Sequence, residues 1–482
     1  MRGNVVMVIL LLMLGGFFAA LFLRSPEAHR APPPLAAKTS KPSPSASTTA
    51  TASATTTAAP APPKPRLARP LRVVALDWEL LAAGVMANGG DANSKKDSDF
   101  GGEQLTVELR VEKSVDNLEN ALARGGEEDK GADIAIVPLP RFAASYERLK
   151  ALAPVIFLTT GWSDGREVLV AEAKNLEALP ARGTLKLEAE AGSPAAMLGL
   201  FALDAAGLSP DRVELVDDDK APWSALPRTQ MKGKGGQTKG HLLLSTAEAS
   251  QLVPFVAIVQ RSMIEKEPEV VQAFARGWLK GQDAVANDAS GAARRIATLQ
   301  HAPKPLEVLS ALGQIRPASL RDNARALGLA GRGAATLENL FSRAWSLWRK
   351  AKVLTIPPEQ APVDGRVVAA LIREGSELEG PLPPKTTAER PDTAGKPLLV
   401  RRLDGKLDEE AAVSELGLLA CAFPRSPIRF AVHPGFAIDT KKTETLLEQA
   451  RERFALGSDR VTASDTRPKP RTVVTIEIMP VP

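Results

Sequence analysis

Residues 5 to 23, VVMVILLLMLGGFFAALFL, form an uninterrupted apolar run, and Arg24 follows at once. At about 1.5 Å rise per residue such a run reaches about 28 Å as a helix, close to the hydrocarbon thickness of a bilayer and longer than the apolar region of a cleaved signal. It predicts a signal-anchor helix over residues 1–24, a single pass through a membrane with the amino end cytoplasmic and the folded part outside. A cleavable secretory signal is the alternative, because Ala19 and Ala20 are small, but no A-x-A site precedes the Pro-rich stretch that begins at Pro32. A lipid anchor is excluded by chemistry, since the lone cysteine is Cys421. The same count excludes an intramolecular disulfide.

Residues 25–70 are dominated by Pro, Ala, Ser and Thr and cannot bury enough apolar surface to offset their ordering entropy, which predicts a disordered tether. Fully extended, it reaches on the order of 100 Å. Residues 1–70 hold eight Lys/Arg against Glu27 alone, leaving 53 basic and 55 acidic residues in the rest of the chain. The folded part has no basic excess, so nucleic acid is not an expected partner. The basic tether suits anionic lipid headgroups or plain solvent.

Beyond residue 70 the pattern alternates strand and helix. LRVVAL (71–76), LTVELRV (105–111) and DIAIV (133–137) have the composition of strands, with helical stretches at Trp78 to Met86, Val115 to Leu122 and Phe142 to Leu149 between them. This alternation predicts a parallel sheet with crossover helices. PVIFLTT and REVLVAE come next, around GWSDGR, and then a second series opens with TLKLEAE, SPAAMLGLFALDAAG, RVELVDD and HLLLS. VPFVAIV (253–259) suits a strand returning to the first lobe. In PEVVQAFARGWLKGQDAV, Val270, Val271, Phe274, Trp278 and Val285 recur at helical spacing behind Pro268, marking core rather than a site.

The runs ADIAIVP, AGSPAAMLGLFALDAAGLSPDRVELV and FVAIVQRSMIEKEPEVVQAFARGWLKGQDAVANDASGAARRIA resemble the ABC-transporter periplasmic solute-binding proteins of the nitrate/sulfonate/taurine and thiamine-precursor group, over roughly residues 71–372. The resemblance implies an α/β, two-lobed periplasmic-binding-protein fold of type II. Lobe one would take about 71–172 plus the C-terminal return, and lobe two about 173–252. It also implies a small, often anionic solute, a permease or other envelope proteins as partners, and no cofactor. The insertion GGDANSKKDSDFGG stands near the expected cleft mouth.

The residues themselves suggest where a ligand sits. Ser193 occupies an N-cap, Pro194 the first helical position and Gly207 the end of a helix whose start, after Gly192, offers backbone donors to an anion. An ordinary capped helix reads the same way. Asp77 and Trp78, Pro138 and Leu139, Thr159 and Thr160, and Ser245 and Thr246 lie at the carboxyl ends of strands, where open α/β sheets bind ligands.

Gly161, Trp162, Ser163, Asp164 and Gly165 spell G-x-S-x-G, which raises a serine hydrolase as a rival. That motif needs a strand before it and a helix after it. Here a strand-like run comes after it, and Asp164-Gly165 predicts a hairpin turn. The four histidines, His29, His241, His301 and His433, form no metal-ligand spacing. MKGKGGQTKG (231–240) lacks P-loop spacing and suits a hairpin in lobe two.

Residues 373–396 are polar and Pro-rich, a linker, and residues 397–482 pattern as β, α, β, α, loop, β. This small α+β module resembles the OmpA-like peptidoglycan-binding domain, with IRFAVHPG and TETLLEQARERF at the matching strand and helix. The likeness places Ala450 where the family has its binding Arg, with Arg451 one residue off, and no Asp follows His433-Pro434. Peptidoglycan is therefore not carried over as a partner. The whole reads as a non-enzymatic, envelope-anchored receptor for a small solute, with a ligand-free envelope scaffold on the same fold as the alternative.

Overall fold

The computed structural model describes residues 65–482 except 181, 232–238, 330–334, 358, 376–394, 436, 467–468 and 482. The expected anchor (1–24), nearly all of the tether, most of the 373–396 linker and the tip of the 231–240 loop lie outside the described residues. Among the described residues no helix is long and apolar enough to cross a membrane.

Lobe one is built on a six-stranded sheet. Its strands are β1 (Leu71–Ala75), β2 (Val107–Val111), β3 (Ile134–Pro138) and β4 (Pro154–Ser163), and, after an excursion of the chain into lobe two, β10 (Pro254–Gln260) and β11 (Ile315–Pro317). The order is β11-β4-β10-β3-β1-β2. β1 runs parallel to β2 and β3, pairing Val73 with both Leu109 and Ile134. β10 comes back antiparallel between β3 and β4, with Ala257 opposite Ile136 and Leu158. β3 and β4 are buried along their whole lengths, as strands covered on both faces by helices must be. One covering layer is the Pro268–Asn287 helix, whose Phe274 stacks on Phe100 at 5.6 Å and packs on Trp278. Gly281 lets this helix approach the Ala82–Ala87 helix, since a Cβ there would lie 2.0 Å from the Ala83 carbonyl oxygen.

Lobe two holds β5 (Glu167–Ala171), β6 (Leu185–Glu188), β7 (Val213–Val216), β8 (Trp223–Pro227) and β9 (His241–Ser245), in the order β7-β6-β8-β5-β9. β6 is parallel to β7 and β8, and β5 is antiparallel to β8 and β9. The chain crosses between the lobes twice, after β4 and before β10. Asp164-Gly165 is therefore not a hairpin turn: β4 and β5 belong to different sheets, and Gly165, at φ +95°, lies in the lobe crossing.

A C-terminal helix, Leu337–Lys350, ties the lobes together. It packs on the Leu139–Leu149 helix of lobe one and on the Pro194–Ala205 helix of lobe two. Phe341 and Trp345 meet Tyr146 edge-on, the Trp348 indole donates to the Pro140 carbonyl at 3.1 Å, and Arg343 donates to Asp204 at 2.7 Å.

The terminal module has β12 (Leu399–Asp404), β13 (Ile428–Val432), β14 (Val461–Ala463) and β15 (Thr472–Ile478) in the order β12-β15-β13-β14, with the Glu409–Ala422 and Thr440–Phe454 helices between strands. The segment expected as a loop includes the short strand β14, parallel to β13. The module docks on the body. Phe423 lies 6.3 Å from Phe201, Arg401 donates to the Asp204 carbonyl at 2.8 Å, and both lobe crossings are held: Arg425 pairs with Asp164 at 2.9 Å, and the Gln251 amide donates to the Ala422 carbonyl at 3.2 Å.

Candidate functional site: an acidic cleft between the lobes

Between the lobes is a cleft of about 620 Å³. Of the candidate residues it is lined by Asp77 and Pro138 from strand ends and Ser193 from the helix start, and these three alone are brought together. Pro138 ends β3 and turns the chain into the Leu139–Leu149 helix. Asp77 follows β1. Ser193 faces them from lobe two.

The other candidates have structural work instead. Trp78 is buried, and its indole donates to the Gln300 carbonyl at 3.1 Å. Leu139 is core. Thr159 is bound through its backbone by Asn323, at 2.6 Å to the amide and 2.9 Å to the carbonyl. Thr160 accepts from Gln282 and lines a separate apolar cavity of about 320 Å³ beside Trp278. Ser245 bonds Glu248 through both its amide and its hydroxyl. Thr246 is a hinge residue whose hydroxyl accepts from the Gly165 and Glu167 amides at 3.0 and 3.2 Å. Gly192, at φ +77°, packs against lobe one, where a Cβ would lie 2.9 Å from that of Ala144. The GGDANSKKDSDFGG insertion folds back on lobe one through buried Phe100 and contributes nothing to the cleft lining.

Ser193 caps its helix as expected, accepting from the Ala196 amide at 3.1 Å. That cap uses the helix start up. The Ser193 amide donates to Glu190, Ala196 to the Ser193 hydroxyl and Met197 to the Ser193 carbonyl. Pro194 has no N–H, so among the described residues the first turn has only the Ala195 amide left for a ligand.

Sequence reasoning missed the charged residues that give the cleft its character: Arg141, Arg166, Glu167, Glu188, Glu190 and Asp217. Arg166 opens the strand after GWSDG and is held between Asp77 at 2.7 Å and Glu79 at 3.0 Å, with Glu167 at 4.0 Å. Burial works to lower its pKa, but these carboxylates prevail and raise it, so it stays charged. Burial also pushes the Glu79 carboxyl up. Arg141, one turn into the helix after Pro138, pairs with Glu190 at 2.7 Å and donates to the Ala191 carbonyl at 3.2 Å, clamping lobe two to lobe one. Both cations lining the cleft are thus matched within it, while Asp217 stands exposed with no ion pair among the described residues. The signal available was the acid-rich LEAEAG leading into the capped helix.

The rival G-x-S-x-G reading fails on geometry. Ser163 is the last residue of β4, fully buried, with its hydroxyl bonded to Glu167 and 2.8 Å from the Thr246 hydroxyl. A second strand comes next rather than a helix. Glu167 itself is buried, and desolvation raises its pKa against the pull of Arg166. Among the described residues no group of three His, Cys, Asp or Glu is placed to hold a metal. In the terminal module Ala450 is buried and Arg451 donates to the Val461 carbonyl at 2.6 Å, so its guanidinium braces β14.

No family model and no curated protein matches the sequence. Similar solved structures include periplasmic binding proteins of ABC import systems. The alkanesulfonate-binding protein SsuA of Xanthomonas axonopodis pv. citri, bound to MOPS, is 14% identical with a TM-score of 0.42, covering 63% of this chain and 100% of that one. A periplasmic sulfonate-binding SsuA of Methylobacillus flagellatus KT is 16% identical with a TM-score of 0.45, covering 67% and 98%. The periplasmic nitrate-binding protein NrtA of Synechocystis PCC 6803 is 12% identical with a TM-score of 0.35, covering 47% and 64%.

Proposed function

We propose that the chain is a non-enzymatic solute receptor, anchored in the inner membrane through residues 5–23, whose interlobe cleft takes a small cationic solute on the periplasmic side. A permease or another envelope protein is the partner this reading assigns it. The observation that carries the sign of the solute is the charge of the cleft. Asp77, Glu188, Glu190 and Asp217 line it, with Glu167 buried behind them, against Arg141 and Arg166; both arginines are already paired, Glu188 is paired with Lys239 from outside the lining, and Asp217 is left without an ion pair among the described residues. An anion entering there meets a net negative wall and a single free amide, whereas an amine meets the exposed Asp217 carboxylate, which has no ion pair among the described residues.

Calorimetric titration of the detergent-solubilised full chain tests this. Putrescine and cadaverine are expected to bind, with Asp217→Asn weakening them about tenfold, the size of one charge-assisted hydrogen bond. Nitrate and methanesulfonate are expected not to bind. Tight nitrate or sulfonate binding, lost in Ser193→Leu, would restore the anion reading.

A second reading, a ligand-free envelope scaffold, is favoured by the ties across the lobes: the Leu337–Lys350 helix, the Arg141–Glu190 pair and the terminal module seated on both crossings. Failure of every solute class to bind would select it.

A further inference from the structure

Both arginines lining the cleft have carboxylate partners. A groove of about 410 Å³ where the terminal module meets lobe two differs. Its rim carries Arg212, Lys396, Arg402 and Lys469, and its floor is formed by Leu208 and Leu398. Among the described residues none of these four cations has a carboxylate within salt-bridge distance, and the single acid of the lining is the exposed Glu177.

Two of the four are placed by the fold. Arg212 is fixed by donating Nε to the Gly183 carbonyl and Nη2 to the Pro180 carbonyl, both at 3.0 Å. Those acceptors are neutral, so its charge is held still without being compensated. Arg402 sits on β12, where successive side chains alternate between faces. Arg401 goes one way, to Glu415 at 3.0 Å and the Asp204 carbonyl, and Arg402 goes the other way, into the groove.

We propose that this groove is a binding site for a small polyanion carrying at least two oxyanion groups, such as a diphosphate or a polycarboxylate. Four like charges around a concavity repel one another, and an anion that bridges them removes that cost while forming charge-assisted hydrogen bonds. A monovalent ion satisfies one cation and leaves three. The guanidinium fork of Arg402 matches phosphate and carboxylate oxygens alike. The volume suits a small molecule rather than a polymer. The site is separate from the cleft and does not rest on the cationic-solute reading.

The test titrates pyrophosphate, citrate and orthophosphate into the full chain at low ionic strength. Pyrophosphate or citrate is expected to bind at least tenfold tighter than orthophosphate, with affinity falling as salt is added. Arg402→Gln and Lys469→Gln should each weaken it by about tenfold. Ser193→Leu, in the cleft, should leave it unchanged. Lys469 is exposed, so its variant keeps the melting temperature and remains informative even if Arg402→Gln unsettles the module. Absence of pyrophosphate and citrate binding to the folded wild type, or binding indifferent to both variants, overturns the proposal.

Discussion

Arg425→Ala should loosen the hinge. The Asp164 carboxylate, only 3% exposed, lies in the first lobe crossing and is gripped by both terminal nitrogens of Arg425, at 2.9 and 3.4 Å. Removing one partner of a buried pair costs about 3–5 kcal/mol, mostly because a charge is left without compensation. Arg425 is 28% exposed, so water can reach part of the vacated space. That screening brings the expected loss to about 2 kcal/mol.

The loss should appear first as undocking of the terminal module rather than as global unfolding, because Phe423 against Phe201 and the Gln251–Ala422 bond are the neighbouring anchors. Cys421 reports it directly. It is the sole thiol and is partly buried next to those anchors, so its labelling rate by a thiol reagent tracks opening. A loss of about 2 kcal/mol corresponds to labelling about thirtyfold faster if opening is a rapid pre-equilibrium. Adding Asp164→Asn to Arg425→Ala removes the stranded charge and should recover most of the difference. Equal labelling in wild type and Arg425→Ala, or a double variant no better than the single, would refute the electrostatic grip.

Two further outcomes concern buried groups. Glu167 has its pKa raised above the ordinary 4.5 by burial, so the folded state holds its proton to higher pH than the unfolded state does; its contribution to stability is fully present below about pH 4.5 and is lost as pH rises through the folded value. Glu167→Gln should therefore raise the melting temperature at pH 7 and change it little at pH 4, as thermal scans at the two pH values would show; an equal effect at both would mean that the carboxyl is not titrating differently in the fold. Trp348→Ala removes a fully buried indole and its bond to Pro140 from the helix that straps the lobes, with an expected cost of about 3–5 kcal/mol by denaturant unfolding, and a cost below about 1 kcal/mol would mean that the strap is only loosely packed.

The parallel core was legible because β3 is apolar through its length and β1 is apolar but for Arg72, as doubly covered strands tend to be. β8, WSALP, was not, since a short buried strand ending in proline has no period to detect. Asp164-Gly165 shows the limit of turn chemistry: the local preference for a sharp change of direction is satisfied, but whether the flanking strands enter one sheet or two is decided by pairing partners far along the chain. The site divided along the same line. The strand-end rule reached Asp77 and Pro138 from local sequence. It also nominated Thr159 and Trp78, which are taken up by Asn323 and Gln300, each more than 160 residues away. Arg166 and Arg141 escaped notice because a charged residue at an element end is ordinary until its carboxylates arrive from elsewhere.

The ties between the lobes bear on how any solute would be held. A two-lobed receptor free to open and shut spends part of its binding energy on closure, and the ligand shifts a population only by its differential contact with the two states. Here one wall of the cleft is fixed to the other by Arg141–Glu190, by the Leu337–Lys350 helix and by a module resting on both crossings. In this conformation the cleft is preorganised, which reduces the ordering cost of binding, and any opening or closing by which a partner could distinguish loaded from empty protein must first break these ties. If the chain signals occupancy, the signal must pass through loosening of one of these ties. Asp164 is the one to suspect, since its carboxylate is held across to the terminal module while its backbone leads directly through Gly165 to Arg166, the cation that lines the cleft.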